Sequence, residues 1–382
     1  MSDYLGKDTF KLGFGLMRLP KLSDGKSEDI EQTKKMVDMF LTAGGTYFDT
    51  AYVYDDGLSE EATKLALVDR YPRESYTLCT KLCAWLQCHD EESAKQQFYT
   101  SLERTGAGYF DYYLLHALQR GNYKKYDEYH IWDFAQELKQ KGMVKNWGFS
   151  FHADPDLLEE LLTDHPEVDF LQMQINYADW ENPGVASRQC WEICRKHNKP
   201  VTIMEPVKGG SLATLPEEAQ KVYDGLGSGM SSTCKASAAS YAIRFAAGFD
   251  NIMMVLSGMG SMEMMEDNVS YMKDFQPLSA EERAAVDKVT KIFRSQNLIP
   301  CTACRYCMEE CPKDIHIPDL FSLLNAKKTF GNWNTDYYYN NIHTTEGTKA
   351  KDCLKCGKCE KICPQHLEIR KLLEDVSAEF DK

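Results

Sequence analysis

From Leu12 to about Val269, short runs of apolar residues alternate with longer stretches in which apolar positions recur every three or four residues. The short runs read as strands and the amphipathic stretches as helices that cover them, a pattern that predicts repeated strand-helix units on a parallel sheet. Eight strands are expected: Leu12–Met17, Thr46–Asp49, Tyr76–Lys81, Phe110–His116, Val144–Ser150, Phe170–Gln174, Val201–Met204 and Ile252–Leu256. Helices are expected between and after them, among them Glu28–Ala43, Ser93–Thr105, Pro155–Asp164, Ala186–His197, Lys235–Ala247 and Met262–Tyr271.

Eight such units over about 260 residues suit a TIM barrel. An open doubly wound sheet is the competing arrangement, but it ordinarily carries a G-x-G-x-x-G turn after its first strand, and this chain has none. Ser279 with Glu282 forms the pattern of a capping box, so a further helix is expected to start there and run to about Ser295, before Pro300. The full 382 residues exceed what one core usually organises. The expected division is a barrel over 1–278, a helical connector over 279–298 and a small domain over 299–382. Within the last, the aromatic and polar stretch Phe330–His343 belongs to a segment too long for a plain linker.

No apolar run reaches the ~18 residues that span a bilayer, so no membrane span is expected. Met1–Lys11 has no basic stretch followed by an apolar one, so a cytoplasmic location is expected. A formal charge of −14, with lysines scattered among acids, argues against nucleic acid as a partner. Fourteen cysteines in such a chain argue for metal or redox chemistry rather than disulfides.

Eight of those cysteines fall in two blocks of identical spacing near the C-terminus: Cys301, Cys304, Cys307 and Cys311, then Cys353, Cys356, Cys359 and Cys363, each ending in Cys-Pro. This is the run by which bacterial ferredoxins hold two [4Fe-4S] clusters, with the fourth cysteine of each block reaching the other cluster. One cluster is therefore assigned to Cys301, Cys304, Cys307 and Cys363, and the other to Cys353, Cys356, Cys359 and Cys311. Zinc held by four cysteines is the alternative, but three evenly spaced cysteines followed by Cys-Pro disfavour it. Electron transfer is the usual use of two neighbouring clusters, and stapling a small domain is the other.

TIM-barrel active sites lie at the C-terminal ends of the strands. Asp49, Lys81 and His116 end the second, third and fourth expected strands, and Tyr54 follows Asp49 by five residues. The run from Gly45 to Tyr54 (GTYFDTAYVY), followed by Gly57-Leu58-Ser59-Glu60, resembles the aldo/keto reductase family, and with the cysteine blocks the whole chain resembles that family's ferredoxin-fused members. The resemblance implies a tetrad of Asp49, Tyr54, Lys81 and His116 acting with a nicotinamide cofactor. Tyr54 is then the proton donor to a carbonyl oxygen. Because tyrosine ordinarily titrates near about 10, a neighbouring Lys81 ammonium is expected to lower its pKa, with Asp49 holding the ammonium and His116 orienting the oxygen.

The same resemblance implies cofactor contacts at Gly15, Met17, Asp49, Ser150, Gln172, Met204, Pro206, Gly258 and Asn268. Ser150 and Gln172 match the residues that take the nicotinamide carboxamide. Three departures accompany them: Phe151 follows Ser150 where Asn is usual, Met204-Glu205-Pro206 replaces an aromatic and Ser-Pro, and Met264 stands where an arginine for the 2′-phosphate is expected. NADP(H), NAD(H) and a different occupant remain open in that order. Cys79, Cys83, Cys88, Cys190 and Cys194 are expected to be structural, and His152 is a weak candidate for the substrate pocket.

Together these readings give an oxidoreductase that interconverts a carbonyl and an alcohol, with the clusters exchanging electrons with ferredoxin or another redox carrier. One difficulty is built in: hydride moves two electrons, each cluster takes one, and no flavin motif offers a way to split the pair. Two alternatives stand beside it. In one, the clusters are structural or sensing and Phe330–His343 is a lid. In the other, the barrel is a non-catalytic docking surface, which an intact tetrad argues against.

Overall fold

The computed structural model describes residues 10–226, 236–295, 298–331 and 334–382. Most of Met1–Lys11, the first residue of the helix expected from Lys235, and parts of the 279–298 and Phe330–His343 segments lie outside the described residues.

Eight parallel strands close into a barrel in chain order: β1 Leu12–Gly15, β2 Tyr47–Asp49, β3 Thr77–Leu82, β4 Phe110–Leu118, β5 Val144–Phe151, β6 Phe170–Gln174, β7 Val201–Met204 and β8 Ile252–Ser257. Closure comes from β1 pairing with both β2 and β8. The outer helices start where short polar side chains can satisfy free backbone N–H groups. Asp29 caps Ile30–Thr42, Asp90 and Ser93 form a capping box for Glu91–Thr105, and Asp154 caps Pro155–Asp164, whose first residue is the favoured proline. Ser237 and Ser261 do the same for Ala238–Ala247 and Met262–Met272.

Inside the barrel, side chains two residues apart on a strand share a face. Tyr47, Cys79, Leu114 and Phe170 belong to one buried interior cluster with Tyr112, Met253, Met254 and Leu256. Two residues further along the same strands stand Asp49, Lys81, His116 and Gln172. The period that fills the barrel with apolar groups thus delivers polar ones to its upper layer.

The helix Ala280–Arg294 starts at the expected Ser279–Glu282 capping box. It lies against the barrel: Ala285, Val286, Val289 and Phe293 share a core with Tyr177, Leu212 and Phe245. Buried Arg244 grips Glu282 with two hydrogen bonds of 2.7 and 2.9 Å.

The C-terminal segment repeats itself at the backbone level. Left-handed φ values recur at Ala303 and Lys355 (53° and 54°), Arg305 and Gly357 (64° and 73°) and Asp314 and His366 (49° and 51°). Longer helices follow in both halves, Ile317–Phe330 and Ile369–Phe380. A buried core of Ile315, Ile317, Leu320, Phe321, Ile369, Leu373 and Val376 joins the halves. No helix among the described residues is long and apolar enough to cross a membrane.

Gly148 of β5 shows how tightly the barrel closes beneath its upper layer, because a Cβ there would stand 1.9 Å from the Phe170 carbonyl oxygen of β6. Gly148→Ala is expected to destabilise the chain by about 3 kcal/mol or more, since only backbone movement relieves the overlap. Urea unfolding followed by circular dichroism checks this, and a loss under about 1 kcal/mol would refute it.

Candidate active site and cluster site

The upper end of the barrel opens into a cavity of about 540 Å³. Its walls include Gly15, Met17, Asp49, Tyr54, Lys81, His116, Ser150, Gln172, Met204, Pro206, Gly258 and Asn268, every barrel position singled out from the sequence. At its floor Lys81 Nζ, buried, donates to Asp49 Oδ1 and to the Thr50 carbonyl oxygen, both at 2.6 Å. The same ammonium lies 4.6 Å from the centre of the Tyr54 ring, and the His116 ring stands edge-on to Tyr54 at 5.7 Å.

The loop that carries Tyr54 is firmly held. Thr50 and Tyr52 donate their N–H groups to the Cys79 and Lys81 carbonyls, extending the pairing of β2 with β3. The Thr50 and Ser59 hydroxyls meet at 2.8 Å, and Arg104 donates to the Tyr52 carbonyl at 3.0 Å. Asp55 and Asp56 sit in the left-handed region (φ 48° and 53°), a conformation that costs energy unless its surroundings impose it.

Burial raises the Asp49 pKa, opposed by Lys81. Burial works against a charged Lys81, but Asp49, Tyr54 and Cys79 more than offset it and leave its pKa raised. Lys81 pulls Tyr54 in the expected direction, yet burial outweighs it and the Tyr54 pKa is pushed up to about 12. Burial, then Lys81 and His152, lowers the His116 pKa well below its usual value, so the ring is neutral at pH 7. The floor therefore holds a charged Lys81 bonded to Asp49, a protonated tyrosine and a neutral histidine.

Several wall residues were not anticipated. Arg18 packs against Gly258 and donates to Asn334 Oδ1 at 2.8 Å. Trp85 donates to the His116 carbonyl at 3.2 Å. Glu205 carries the left-handed φ of 52° and, by burial, a raised pKa. Arg18 directly follows the noted Met17, and Glu205 lies between the noted Met204 and Pro206, but neither has a spacing that marks it.

Tyr337, Tyr338 and Ile342 also line this cavity, and they come from the C-terminal domain. The helical turns Asn334–Tyr337 and Tyr338–His343 lie over the barrel mouth. Tyr338 donates to Glu205 Oε1 at 2.9 Å, and Gln119 donates to the Ile342 carbonyl at 2.8 Å. Tyr339 faces the other way, stacking on Phe380 at 4.7 Å and donating to Asp381 at 2.9 Å, which ties the lid to its own domain. His152 stands under the lid, with Tyr338 between it and His343 at ring separations of 6.0 and 6.1 Å.

The eight cysteines gather in two nooks. Cys301, Cys304, Cys307 and Cys363 surround one, walled by Ile317, Phe321 and Ile369; Cys311, Cys353, Cys356 and Cys359 surround the other, walled by Ile315, Leu354 and Leu373. This is the crossed grouping expected from the spacing. The Ala303 and Lys355 N–H groups point at Cys301 Sγ and Cys353 Sγ at 3.5 and 3.4 Å, backbone donors of the kind that would tune the sulfurs of a bound cluster. Four thiols per apolar nook suit a four-iron cluster. Arg305, on the first loop, pairs with Asp319 at 3.0 Å and approaches Asp154 of the barrel at 3.7 Å. Cys79, Cys83, Cys190 and Cys194 are buried free thiols with pKa values raised by burial.

Residues 11–291 match the aldo/keto reductase family, and residues 300–367 match the 4Fe-4S dicluster domain. An aldo-keto reductase of Bombyx mori is 25% identical over 174 residues, 43% of this chain and 54% of that protein. Glyoxal reductase of Bacillus subtilis is 25% identical over 209 residues, 54% of this chain and 70% of that one. The chain thus spans little more than half the length of the first relative. Among solved structures, the holo form of a Bacillus halodurans aldo-keto reductase superposes with a TM-score of 0.58 at 25% identity, covering 73% of this chain and 91% of its own. A Klebsiella pneumoniae aldo-keto reductase in complex with NADPH gives 0.57 at 19% identity, covering 73% and 90%.

Burial, with a smaller effect of His343, drops the His152 pKa to about 4. A histidine kept neutral by folding stabilises the chain fully above its unfolded pKa of about 6.5, and this contribution is lost as pH falls toward 4, because only the unfolded state takes up the proton. The stability difference between the chain and His152→Gln is therefore expected to shrink between pH 7 and 5.5. Urea titrations at the two pH values measure it, and a difference that stays constant or grows would refute it.

Proposed function

This chain belongs to the aldo/keto reductase family and carries a 4Fe-4S dicluster domain, and we propose that it reduces a carbonyl compound to an alcohol with Tyr54 as proton donor. The observation that carries the reading is the convergence of Asp49, Tyr54, Lys81 and His116 on one cavity floor, with Lys81 ion-paired to Asp49 and set against the Tyr54 ring.

Protonated Tyr54 is ready to donate to a carbonyl oxygen above it. The phenolate left behind is stabilised by the Lys81 ammonium, whose position Asp49 and the Thr50 carbonyl fix in advance, so little reorganisation accompanies the transfer. Neutral His116 orients the same oxygen without competing for the proton. A bound reduced nicotinamide would supply the hydride for the carbonyl carbon.

The residues present fit that cofactor. Gln172 Oε1 and His116 Nδ1 are buried without a hydrogen-bond partner, an unmet demand a polar occupant would answer. Gln172 and Ser150 would hold the carboxamide; Ser150 Oγ already accepts from Ala117 N at 2.6 Å and keeps its own proton to give. Arg18 in the cavity wall supplies positive charge toward the phosphates, and NADP(H) is ranked ahead of NAD(H). Trp85, Val53, Tyr337 and Ile342 make the remaining wall apolar, which favours an apolar or aromatic carbonyl substrate.

We assign both cysteine nooks to [4Fe-4S] clusters that exchange electrons with a separate carrier. This rests on electron transfer being the usual use of two neighbouring clusters in one small domain, and on the first nook's loop lying against the barrel, where Arg305 comes within 3.7 Å of Asp154.

Tyr54→Phe is expected to lower kcat for 4-nitrobenzaldehyde reduction by NADPH ~100-fold or more, as loss of a positioned acid does, with iron and sulfide content unchanged. Activity within threefold of the parent chain would refute the role. A second measurement addresses coupling: anaerobic chain mixed with NADPH, then NADH, is followed by EPR. Cluster reduction by either nucleotide is the expected result; reduction by dithionite alone would refute direct exchange with the nicotinamide.

A further inference from the structure

The two cluster nooks face different surroundings. Cys301 and Ala303 of the first share a cavity with the barrel loop around Asn182 and Gly184, and Arg305 of the same block reaches Asp154. The first nook thus looks toward the barrel. None of the residues lining the second belongs to the barrel.

Around the second nook the surface is unusual for this chain. Cys356 is exposed, and so are two large apolar residues on the same short stretch, Leu354 at 60% and Ile362 at 40%. From Lys349 to Lys371 there are seven Lys and Arg against three Asp and Glu, in a chain whose formal charge is −14. Lys358 and Lys361, on the turn that follows Cys356, are exposed and have no ion pair recorded among the described residues. Lys355 and Arg370 are paired, with Glu374 and Glu360, and Glu310 adds one carboxylate to the rim. The net result is a small apolar centre beside the partly exposed cysteine set of the second nook, ringed mainly by positive charge.

We infer that this surface, built on Leu354, Cys356, Ile362, Lys358 and Lys361, docks an acidic one-electron carrier protein and passes its electron to the cluster held by Cys311, Cys353, Cys356 and Cys359. An apolar centre with a charged rim is the anatomy of a transient protein interface, and opposite charge raises encounter rates by about 10 to 1,000-fold. An acidic partner meets repulsion from the chain's net charge and attraction at this rim, so the charge favours this face. In the transfer the reduced carrier loses one electron and is oxidised, the cluster gains that electron and is reduced by one, and no bond or proton moves. The first nook then lies between this port and the barrel. The inference rests on the reading that the cysteine nooks hold redox-active [4Fe-4S] clusters.

The test uses the cluster-loaded full chain under anaerobic conditions. Bleaching of cluster absorbance is followed by stopped flow after mixing with a reduced, acidic bacterial ferredoxin, in the parent chain, in a Lys358→Glu/Lys361→Glu double variant and in Leu354→Gln. Iron and sulfide are assayed in each, and the extent of reduction by methyl viologen confirms that the clusters are intact. At low ionic strength the double variant is expected to be reduced at least fivefold more slowly than the parent, and Leu354→Gln at least twofold. The parent rate should fall as salt is raised, with a flatter dependence in the double variant. Equal rates in parent and double variant, or a parent rate indifferent to salt, would overturn the docking surface. So would loss of retention on single-stranded DNA in the double variant with unchanged ferredoxin kinetics, which would make the lysines a polyanion site. A chain without iron and sulfide overturns the cluster reading as well, whereas a loaded chain blind to these substitutions overturns this inference alone.

Discussion

The Lys81–Asp49 ion pair at the barrel floor is the interaction on which the rest of the site depends. Both groups are buried, and an unpaired charge there would cost several kcal/mol. Mutual pairing, together with the Thr50 carbonyl, keeps Lys81 charged although burial alone would lower its pKa. That one charge acts on both neighbours: it opposes the rise in the Tyr54 pKa and contributes to holding His116 neutral. The same pairing joins β2 to β3 at the level where the Tyr54 loop departs, so the electrostatics and the geometry of the floor have a common source.

A second constraint acts across the domains. The barrel by itself leaves its mouth open, and the segment between the two cysteine blocks closes it through Tyr338 on Glu205, Asn334 on Arg18 and Ile342 on Gln119. Glu205 meets this role in a left-handed backbone conformation that favours glycine, and burial favours its neutral form. The Phe330–His343 stretch therefore serves two surfaces at once: Tyr337 and Tyr338 look into the cavity while Tyr339 is locked into its own domain. The first cysteine loop is fastened to the same interface by Arg305, which adopts at φ 64° the conformation that Gly357 adopts in the second half. Arginine there gives up conformational ease and gains the Asp319 and Asp154 contacts.

Hydride transfer moves two electrons and a [4Fe-4S] cluster takes one, and the chain sets an aldo/keto reductase barrel beside a dicluster domain without a flavin motif in its sequence. Between the cavity wall and the C-terminal domain, the rings of His152, Tyr338 and His343 succeed one another at separations of 6.0 and 6.1 Å.

Much of this was legible in the sequence because it is written in local periods. Alternating apolar runs place the eight strands to within a residue or two, the Ser279–Glu282 pattern marks the start of Ala280–Arg294, and Cys-x2-Cys-x2-Cys-x3-Cys-Pro specifies both nooks and their crossed membership. The upper-layer residues Asp49, Lys81 and His116 follow from their places at strand ends, and Gln172 from the family resemblance; each stands two positions beyond a barrel-filling side chain. Tertiary structure alone decided the remainder. That Arg18, Glu205, Tyr337, Tyr338 and Ile342 share one cavity depends on how two domains dock, and docking brings together residues more than a hundred positions apart that no spacing rule relates. The net pKa of Tyr54 was equally out of reach: the sequence names the lysine that opposes the shift, but the burial that outweighs it exists only once the barrel is closed.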